Sequence, residues 1–191
     1  MSQTPENETL QENLQRAAEG DEDAWRDIVE TYSYRVFGLI RAQCGNNELA
    51  EEITQSTFCT VVMKIGQYTE VGRFEAWLFR IAMNRLRDEM RRRKRQARPV
   101  EDEVLTSLAG GIGPDEDIHS DADSEQLANL RQAMARLSES DLKVIQMRHY
   151  GGLSFAQIAQ VLNQPIGTVL ARQHRALKKL RELLGPNDVD S

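Results

Sequence analysis

Apolar side chains recur every three or four residues along most of the chain, and this spacing predicts amphipathic helices. Asp21 is a suitable N-cap for the first long helix, and Gly45 suits the left-handed turn that ends it. The apolar positions of that helix are Trp25, Ile28, Val29, Tyr32, Val36, Leu39 and Ile40. Aromatic residues make up only 6% of the chain, which argues against a β-sandwich. The predicted fold class is all-α.

Two more helices are predicted in the first half of the chain. One follows Asn47 and has polar residues opposite an apolar face. That apolar face is expected to contain Leu49, Ile53, Phe58, Val61, Val62 and Ile65. Residues 66–72 lie between two glycines and predict a loop. The third helix begins near Arg73 and should stop at Pro99, because proline cannot continue a helix.

The second half of the chain is also predicted to be helical. Ser138 and Ser154 each stand at the N-cap of a capping-box pattern. A tight turn at residues 163–164 then joins a short helix to the last one, which begins near Pro165. Two helices in this arrangement, the second one basic, form a helix-turn-helix that can enter the major groove of DNA. An ordinary helical hairpin with a solvated basic face is the alternative.

Charge is distributed in blocks that the net charge of −6 conceals. Residues 1–30 hold nine acids and two bases, whereas residues 71–98 hold ten bases and three acids. Residues 99–125 hold nine acids and no Lys or Arg, and residues 143–181 hold seven bases and no acid. Two basic blocks separated by an acidic one predict two surfaces that meet a polyanion, and this pattern favours DNA binding over the hairpin.

Several classes of function are not supported by any motif. The N-terminus is polar and acidic and the apolar runs are short, so neither a signal peptide nor membrane insertion is expected, and the expected location is cytoplasmic. The P-loop, dinucleotide, zinc-protease and nucleophile-elbow motifs are missing, so an enzyme is not expected. Cys44 and Cys59 are expected to be free thiols, and neither a metal nor another cofactor is expected.

Three stretches resemble motifs of bacterial RNA polymerase sigma factors of the sigma-70 family, and more narrowly of the extracytoplasmic-function (ECF) group. Residues 50–58, AEEITQSTF, resemble the pattern A-E-D-x-x-Q-x-x-F. Residues 74–92 resemble F-x-x-W-L-x-x-I-A-x-N-x-x-x-D-x-x-R-R. Residues 137–159 and 167–176 resemble region 4 of the family. The three stretches follow one another in the family's order and spacing.

The resemblance implies a domain organisation. The expected segments are a polar N-terminal extension (1–20), sigma region 2 (21–98), a flexible acidic linker (99–125), sigma region 4 (126–185) and a tail (186–191). The implied partners are core RNA polymerase, met through its β′ clamp helices and its β flap, promoter DNA, and an anti-sigma factor. The free protein is expected to be a monomer.

The resemblance also implies roles for individual residues. The residues expected to bind core polymerase are Glu51, Glu52 and Gln55. The residues expected to melt and capture the −10 element are Arg73, Trp77, Arg80, Asn84, Arg87 and Arg91. The residues expected to bind the −35 element are Thr168, Arg172, Gln173, Arg175 and Lys179.

Some positions depart from the family pattern. Leu49 stands where the family often has Asp, and Leu170 and Ala171 stand where a basic residue and a hydroxyl are commoner. The usual −35 contacts are therefore not carried over at residues 170 and 171. A stand-alone helix-turn-helix regulator that acts without polymerase is the alternative function, and the block at 48–98 argues against it, because such a regulator does not need it.

Overall fold

The computed structural model describes residues 5–69, 72–96 and 121–185, and the side chains within 9–69, 72–96 and 126–185. These residues form eight α-helices and one 3₁₀ turn (Ile65–Gln67), and no strand occurs among them. The helices are α1 (Pro5–Ala18), α2 (Glu22–Cys44), α3 (Asn47–Lys64), α4 (Phe74–Gln96), α5 (Asp121–Ala135), α6 (Glu139–His149), α7 (Phe155–Leu162) and α8 (Ile166–Leu184). The prediction of an all-α fold is confirmed.

The helix ends follow from the capping residues. The Asp21 carboxylate accepts hydrogen bonds from two backbone amides of the first turn of α2, and Gly45 ends that helix at φ 65°. Ser154 and Gln157 form the predicted capping box at the start of α7. Asn163 adopts the left-handed conformation at φ 52° between α7 and α8. The helix-turn-helix connection is therefore built as the sequence predicts.

Two helices begin in segments that the sequence assigns to neither domain. α1 begins at Pro5, within the expected polar N-terminal extension (1–20). α5 begins at Asp121, within the segment 99–125 expected to be linker. The rest of that segment down to Pro99, and its expected flexibility, lie outside the described residues.

The N-terminal domain consists of α1 to α4 packed around one core. α2 packs against α1, α3 and α4, and the largest fully buried side chains come from α2 and α4. These side chains include Ile28, Leu39, Ile40, Phe74, Leu78 and Phe79. Tyr32 meets the ring of Phe74 edge-on at 5.4 Å between centroids. The packing presents the outer faces of α3 and α4 to the exterior.

The C-terminal domain consists of α5 to α8, and it packs directly on the N-terminal domain. α8 lies against α5, α6 and α7, and Val169 and Ala176 are its buried residues. α6 contacts α2, and α7 contacts α4. Val144, Met147 and Ile158 are therefore part of the same apolar cluster as the core of the N-terminal domain.

Candidate nucleic-acid interface

The outer face of α3 is acidic in its first half. Glu51, Glu52 and Gln55 are all exposed on this face. The opposite face is buried, and there Thr57 donates a hydrogen bond to the carbonyl oxygen of Ile53 at 2.7 Å, which satisfies its hydroxyl. The core of the domain therefore makes no use of the two carboxylates, and they are available to a basic partner.

The same face becomes apolar toward the end of α3. Val62 is 54% exposed and Met63 is 71% exposed, next to the exposed Cys59. The sequence pattern placed Val62 on the buried face, and that placement is wrong. Thr60 and Val61 occupy the core at this turn, and Val62, about 100° further round the helix than Val61, falls on the outer face. The face thus offers carboxylates at one end and apolar side chains at the other.

α4 gathers most of the predicted −10 residues onto one face. Trp77, Arg80, Asn84, Arg87 and Arg91 are three or four residues apart, so the helix places them in one row. All except the half-buried Trp77 are exposed, and Arg73 lies exposed just before the helix. The row combines guanidinium groups with an aromatic ring and an amide, the mixture that binds the phosphates and bases of single-stranded DNA.

Trp77 is held by its aromatic neighbours. Its ring stacks on that of Tyr68, with the centroids 4.5 Å apart and the planes at 26°. Phe74 lies on the other side of the cluster, 5.8 Å from Tyr68 and 5.9 Å from Trp77 between centroids. One part of the Trp77 ring is therefore fixed by packing while another part remains accessible, which suits a rigid platform for a base.

The last turns of α4 are basic, and one carboxylate partly neutralises them. Glu89 accepts hydrogen bonds from Arg92 at 2.6 Å and from Arg93 at 2.8 Å. The hydrogen bonds from Arg92 and then Arg93 lower the pKa of the Glu89 carboxyl to about 2. The carboxylate thereby fixes the directions of two guanidinium groups, while Arg91 and Arg95 remain exposed.

The predicted −35 residues lie mostly on the flank of α8 that turns toward its own domain. Arg172 donates to the amide oxygen of Gln164 at 2.6 Å, and Arg175 donates to a carboxylate oxygen of Asp141 at 3.0 Å. Gln173 is half-buried, and its Oε1 atom has no hydrogen-bond partner among the described residues. Lys179 donates to the backbone carbonyl of Arg136, and Thr168 is exposed near the start of the helix.

A different set of residues forms the outermost face of α8. Gly167, Leu170, Ala171 and His174 are all exposed and follow one another at intervals of three, one and three residues. This i, i+3, i+4, i+7 spacing puts them on one face of the first two turns. None of the four is among the residues that the family resemblance assigns to the −35 element, because those are polar contacts, although the spacing itself is visible in the sequence.

Arg35 of α2 joins the two domains. Its Nε and Nη2 atoms donate to the carbonyl oxygen of Gly151 at 3.0 and 2.8 Å, and its Nη1 atom lies 2.6 Å from a carboxylate oxygen of Glu75. The second oxygen of Glu75 accepts from the side-chain amide of Gln157 at 2.6 Å. Glu75 lies in the first turn of α4 and Gln157 in the first turn of α7, so one carboxylate connects the first turns of both helices.

Two further contacts connect the domains. Gln146, which is 2% exposed, donates to the carbonyl oxygen of Ala42 at 2.7 Å and accepts from Gln43 at 2.6 Å. Arg80, one of the predicted −10 residues, donates to the carbonyl oxygen of Gln160 in α7 at 2.6 Å. The side of α4 that carries the −10 row is thus partly occupied by the helix-turn-helix. We call the contacts of Arg35, Glu75, Gln146 and Arg80 across the two domains the interdomain contact.

The described parts of the chain offer no alternative centre of chemistry. They contain no group of three or more His, Cys, Asp or Glu side chains able to hold a metal ion. The helices of these parts also include none that is long and apolar enough to cross a membrane. Cys44 is buried and burial raises the pKa of its thiol, which makes it an unreactive packing residue.

Comparison with known proteins supports the two halves of this interface separately. The family described as Sigma-70 region 2 matches residues 28–96, and the family described as Sigma-70, region 4 matches residues 133–182. The ECF RNA polymerase sigma factor SigW of Bacillus subtilis is 30% identical over 92% of this chain and 96% of its own. The RNA polymerase sigma factor CarQ of Myxococcus xanthus is 29% identical over 93% of this chain and 98% of its own.

Similarity of fold extends to solved structures. The sigma factor RpoE from Bartonella quintana, solved with the anti-sigma factor NepR, has a TM-score of 0.65 to this chain. The match covers 87% of this chain and 98% of that one at 23% identity, so it supports the fold alone. With both family regions in order and relatives that match over nearly their full length, the chain belongs to the sigma-70 family of RNA polymerase sigma factors, in its ECF group.

Proposed function

We propose that the outer face of α3 docks this sigma factor on core RNA polymerase. The exposed carboxylates of Glu51 and Glu52, next to the Gln55 amide, suit a basic surface such as the β′ clamp helices. The apolar end of the face at Val62 and Met63 adds area that can be buried on binding. Region 4 contacts the β flap. Charge complementarity sets the orientation, and apolar burial adds affinity.

The row on α4 binds the −10 element as it opens. Bases that leave the duplex stack on Trp77, and Arg80, Arg87 and Arg91 bind phosphates. Asn84 accepts a hydrogen bond from Arg87 at 3.0 Å, so its amide group is oriented for a base edge or a sugar. Arg73 extends the row toward the loop before α4. The single observation that carries this role is the alignment of these side chains on one exposed helix face.

The helix-turn-helix binds the −35 element with α8 in the major groove. Arg175, Lys178 and Arg181 are exposed along α8 and meet phosphates at the edges of the groove. Arg172 and Gln164, joined by their hydrogen bond, fix the turn against the first helix. Thr168, Gln173 and Lys179 complete the surface that the family pattern indicates.

The arrangement with the two domains in contact cannot hold both promoter elements together. Elements centred on positions −35 and −10 are separated by about 25 base pairs, or roughly 85 Å at 3.4 Å per base pair. In the closed arrangement Arg80 lies within hydrogen-bonding distance of α7. The domains must therefore separate when the protein joins polymerase, and the interdomain contact keeps the free protein weak in DNA binding.

Further partners follow from the same proposal. An anti-sigma factor binds the free protein and favours its closed arrangement, as suits a chain whose relative RpoE was solved with one. The protein acts in the cytoplasm, where the polymerase is, as a monomer until it joins core enzyme. It provides DNA binding and melting and is not itself an enzyme, and it needs no cofactor. A regulator that acts without polymerase would not need the α3 face.

Promoter-specific initiation in vitro tests this function. Purified protein and core polymerase are incubated with a pool of genomic fragments, and run-off transcripts are mapped. We expect discrete start sites that depend on the added protein. Random starts, or the same starts with core enzyme alone, would contradict the proposal.

A charge-reversal variant tests the docking face in the same assay. The double variant Glu51→Lys, Glu52→Lys should lose core binding by roughly tenfold or more, because attraction becomes repulsion. The matched control reverses two exposed acids on other helices, Glu12→Lys and Glu30→Lys, and should bind core as the wild type does. Equal binding by both double variants would rule out α3 as the docking face.

A further inference from the structure

The outermost face of α8, formed by Gly167, Leu170, Ala171 and His174, carries no carboxylate, ammonium or guanidinium group. Leu170 is 44% exposed in spite of its apolar side chain. A Cβ atom added to Gly167 would meet nothing within 4 Å, so the space in front of this turn is open. Apart from the His174 imidazole, the face is apolar and sterically open, which is unusual at the start of a recognition helix, because that position normally meets polar base edges.

The basic side chains of α8 lie beside this face or beyond it. Arg172 and Arg175 are directed to Gln164 and Asp141 within the domain, and the exposed Lys178 continues the face two turns beyond Ala171. Seven bases and no acid occur between residues 143 and 181, so a polyanion is the complementary partner. Duplex DNA fits both features, with phosphates at the basic flanks and the groove floor against the apolar face.

We propose that Leu170 reads thymine through its 5-methyl group in the major groove of the −35 element. The methyl group is the one apolar feature on the floor of that groove, and contact with it distinguishes thymine from cytosine. Gly167 and Ala171 have almost no side chain, which lets the helix approach the floor closely. This inference rests on the proposed role of α8 as the −35 reader and names the chemistry that it recognises.

The expected size of the effect follows from burial of a single methyl group. Removing one carbon from an apolar contact weakens binding about fourfold. Leu170 extends far enough to cover one or two adjacent thymines, so the effect should be confined to one or two positions. Arginine contacts to guanine would instead be insensitive to the thymine methyl.

Replacement of thymine by deoxyuridine isolates that methyl group. Holoenzyme made from the full chain and core polymerase first selects promoters from a duplex library with randomised −35 and −10 segments. Each thymine of a selected −35 segment is then changed to deoxyuridine, and holoenzyme affinity is measured. We expect an affinity loss of about fourfold at one or two thymines. A selected −35 segment without thymine, or no loss at any thymine, would overturn the inference.

Variants of α8 assign the effect to a side chain. Holoenzyme with Leu170→Ala should bind the thymine promoter about fourfold more weakly than the wild type does. Its affinity should not fall further when thymine is replaced by deoxyuridine. Leu177→Ala removes a similarly exposed leucine two turns further along and should keep the full sensitivity to deoxyuridine. If Leu170→Ala instead loses core polymerase affinity, or stays as sensitive to deoxyuridine as the wild type, Leu170 does not read thymine. Failure to select any promoter would overturn the proposed function itself.

Discussion

The two proposed DNA-binding helices, α4 and α8, differ in what covers them. On α4, Arg80 is hydrogen-bonded to α7 and Glu75 holds both Arg35 and Gln157, so the beginning of the −10 row is engaged within the protein. On α8, the outermost face has no such cover, and Leu170 and its neighbours are exposed. The interdomain contact therefore engages the first part of one DNA surface directly and leaves the other accessible.

The difference indicates how the interdomain contact can weaken DNA binding by both α4 and α8. In a helix-turn-helix the first helix crosses the DNA backbone while the second enters the groove. The interdomain contact covers α7, which is that first helix, through Gln157 and Gln160. α8 is thus exposed but cannot dock fully until α7 is released. The comparison predicts that release of α7 restores both surfaces together.

The largest effect is expected from Arg35→Ala. The variant removes two hydrogen bonds to the Gly151 carbonyl and the pairing with Glu75. Hydrogen bonds to charged groups contribute about 1.5–3 kcal/mol each, so the closed population falls by tenfold or more. Free protein should then bind a −35 duplex about tenfold more tightly, because less of it is withheld in the closed form. Fluorescence anisotropy titration measures this affinity.

Arg26→Ala provides the control for that experiment. Arg26 lies on the same helix, and its ion pair among the described residues is the exposed one with Asp23 of its own helix. Its removal should leave DNA affinity within a factor of two. An Arg35→Ala variant that folds normally and yet binds DNA as weakly as the wild type would show that the interdomain contact masks nothing.

An effect of similar size is expected from the arginines of α8. Arg172→Ala and Arg175→Ala should each weaken holoenzyme binding by roughly one decade, more than Lys178→Ala does. Because Arg172 holds the turn through Gln164 and Arg175 lies beside the outermost face, the loss should be similar for cognate and scrambled −35 duplexes. The slope of the logarithm of the binding constant against the logarithm of salt concentration should become shallower by about one unit for each phosphate contact removed. A loss confined to cognate DNA would mean that these arginines read bases.

Variants of Arg80 and Arg87 distinguish α4 covered by α7 in the free protein from α4 bound to DNA in holoenzyme. Arg80→Ala removes one contact to the Gln160 carbonyl, whereas Arg87, within the described part of the chain, donates to Asn84 of its own helix. Both variants should weaken holoenzyme binding to a single-stranded −10 segment by about threefold to tenfold. Only Arg80→Ala should also raise the affinity of free protein for the −35 duplex, by about threefold. Identical behaviour of the two variants in the free protein would argue against cover by α7.

The smallest effect concerns the ion pairs of Glu89, which lie away from the interdomain contact. Because the folded pKa of about 2 is below the unfolded value, ionised Glu89 stabilises the fold above about pH 4.5 and loses this contribution as pH falls toward 2. Glu89→Gln should cost about 0.5 kcal/mol of unfolding free energy at pH 7, the scale of exposed helical pairs. The difference should vanish near pH 2. Urea titrations at both pH values measure it, and a constant difference would contradict the assignment.

Local signals in the sequence predicted most of the fold. Asp21, Gly45 and the Ser154 capping box act within one helical turn, so their roles could be derived from the sequence alone. The row on α4 was predictable for the same reason, since its members are neighbours on one helix. Both family regions were also recognised by motifs that lie within single helices or between adjacent ones.

The interdomain contact could not be predicted in this way. Arg35 and Gly151 are 116 residues apart, and no pattern of helical periodicity relates them. One signal was present in the sequence: Gln146 interrupts the apolar run from Val144 to Met147, and a buried amide requires a partner. The identity of that partner, the end of α2, depends on tertiary packing.

The distance between the two domains, in the free protein and on a promoter, tests the account most directly. With Cys59 changed to Ser, spin labels are attached at Arg26→Cys on α2 and Lys178→Cys on α8, both exposed positions. Free protein should give one narrow, short distance distribution, which Arg35→Ala broadens. In the initiation complex with core polymerase and promoter DNA, the distance should increase by tens of ångströms, toward the roughly 85 Å between promoter elements. An unchanged distance in that complex would contradict the account, because domains in contact cannot hold both elements.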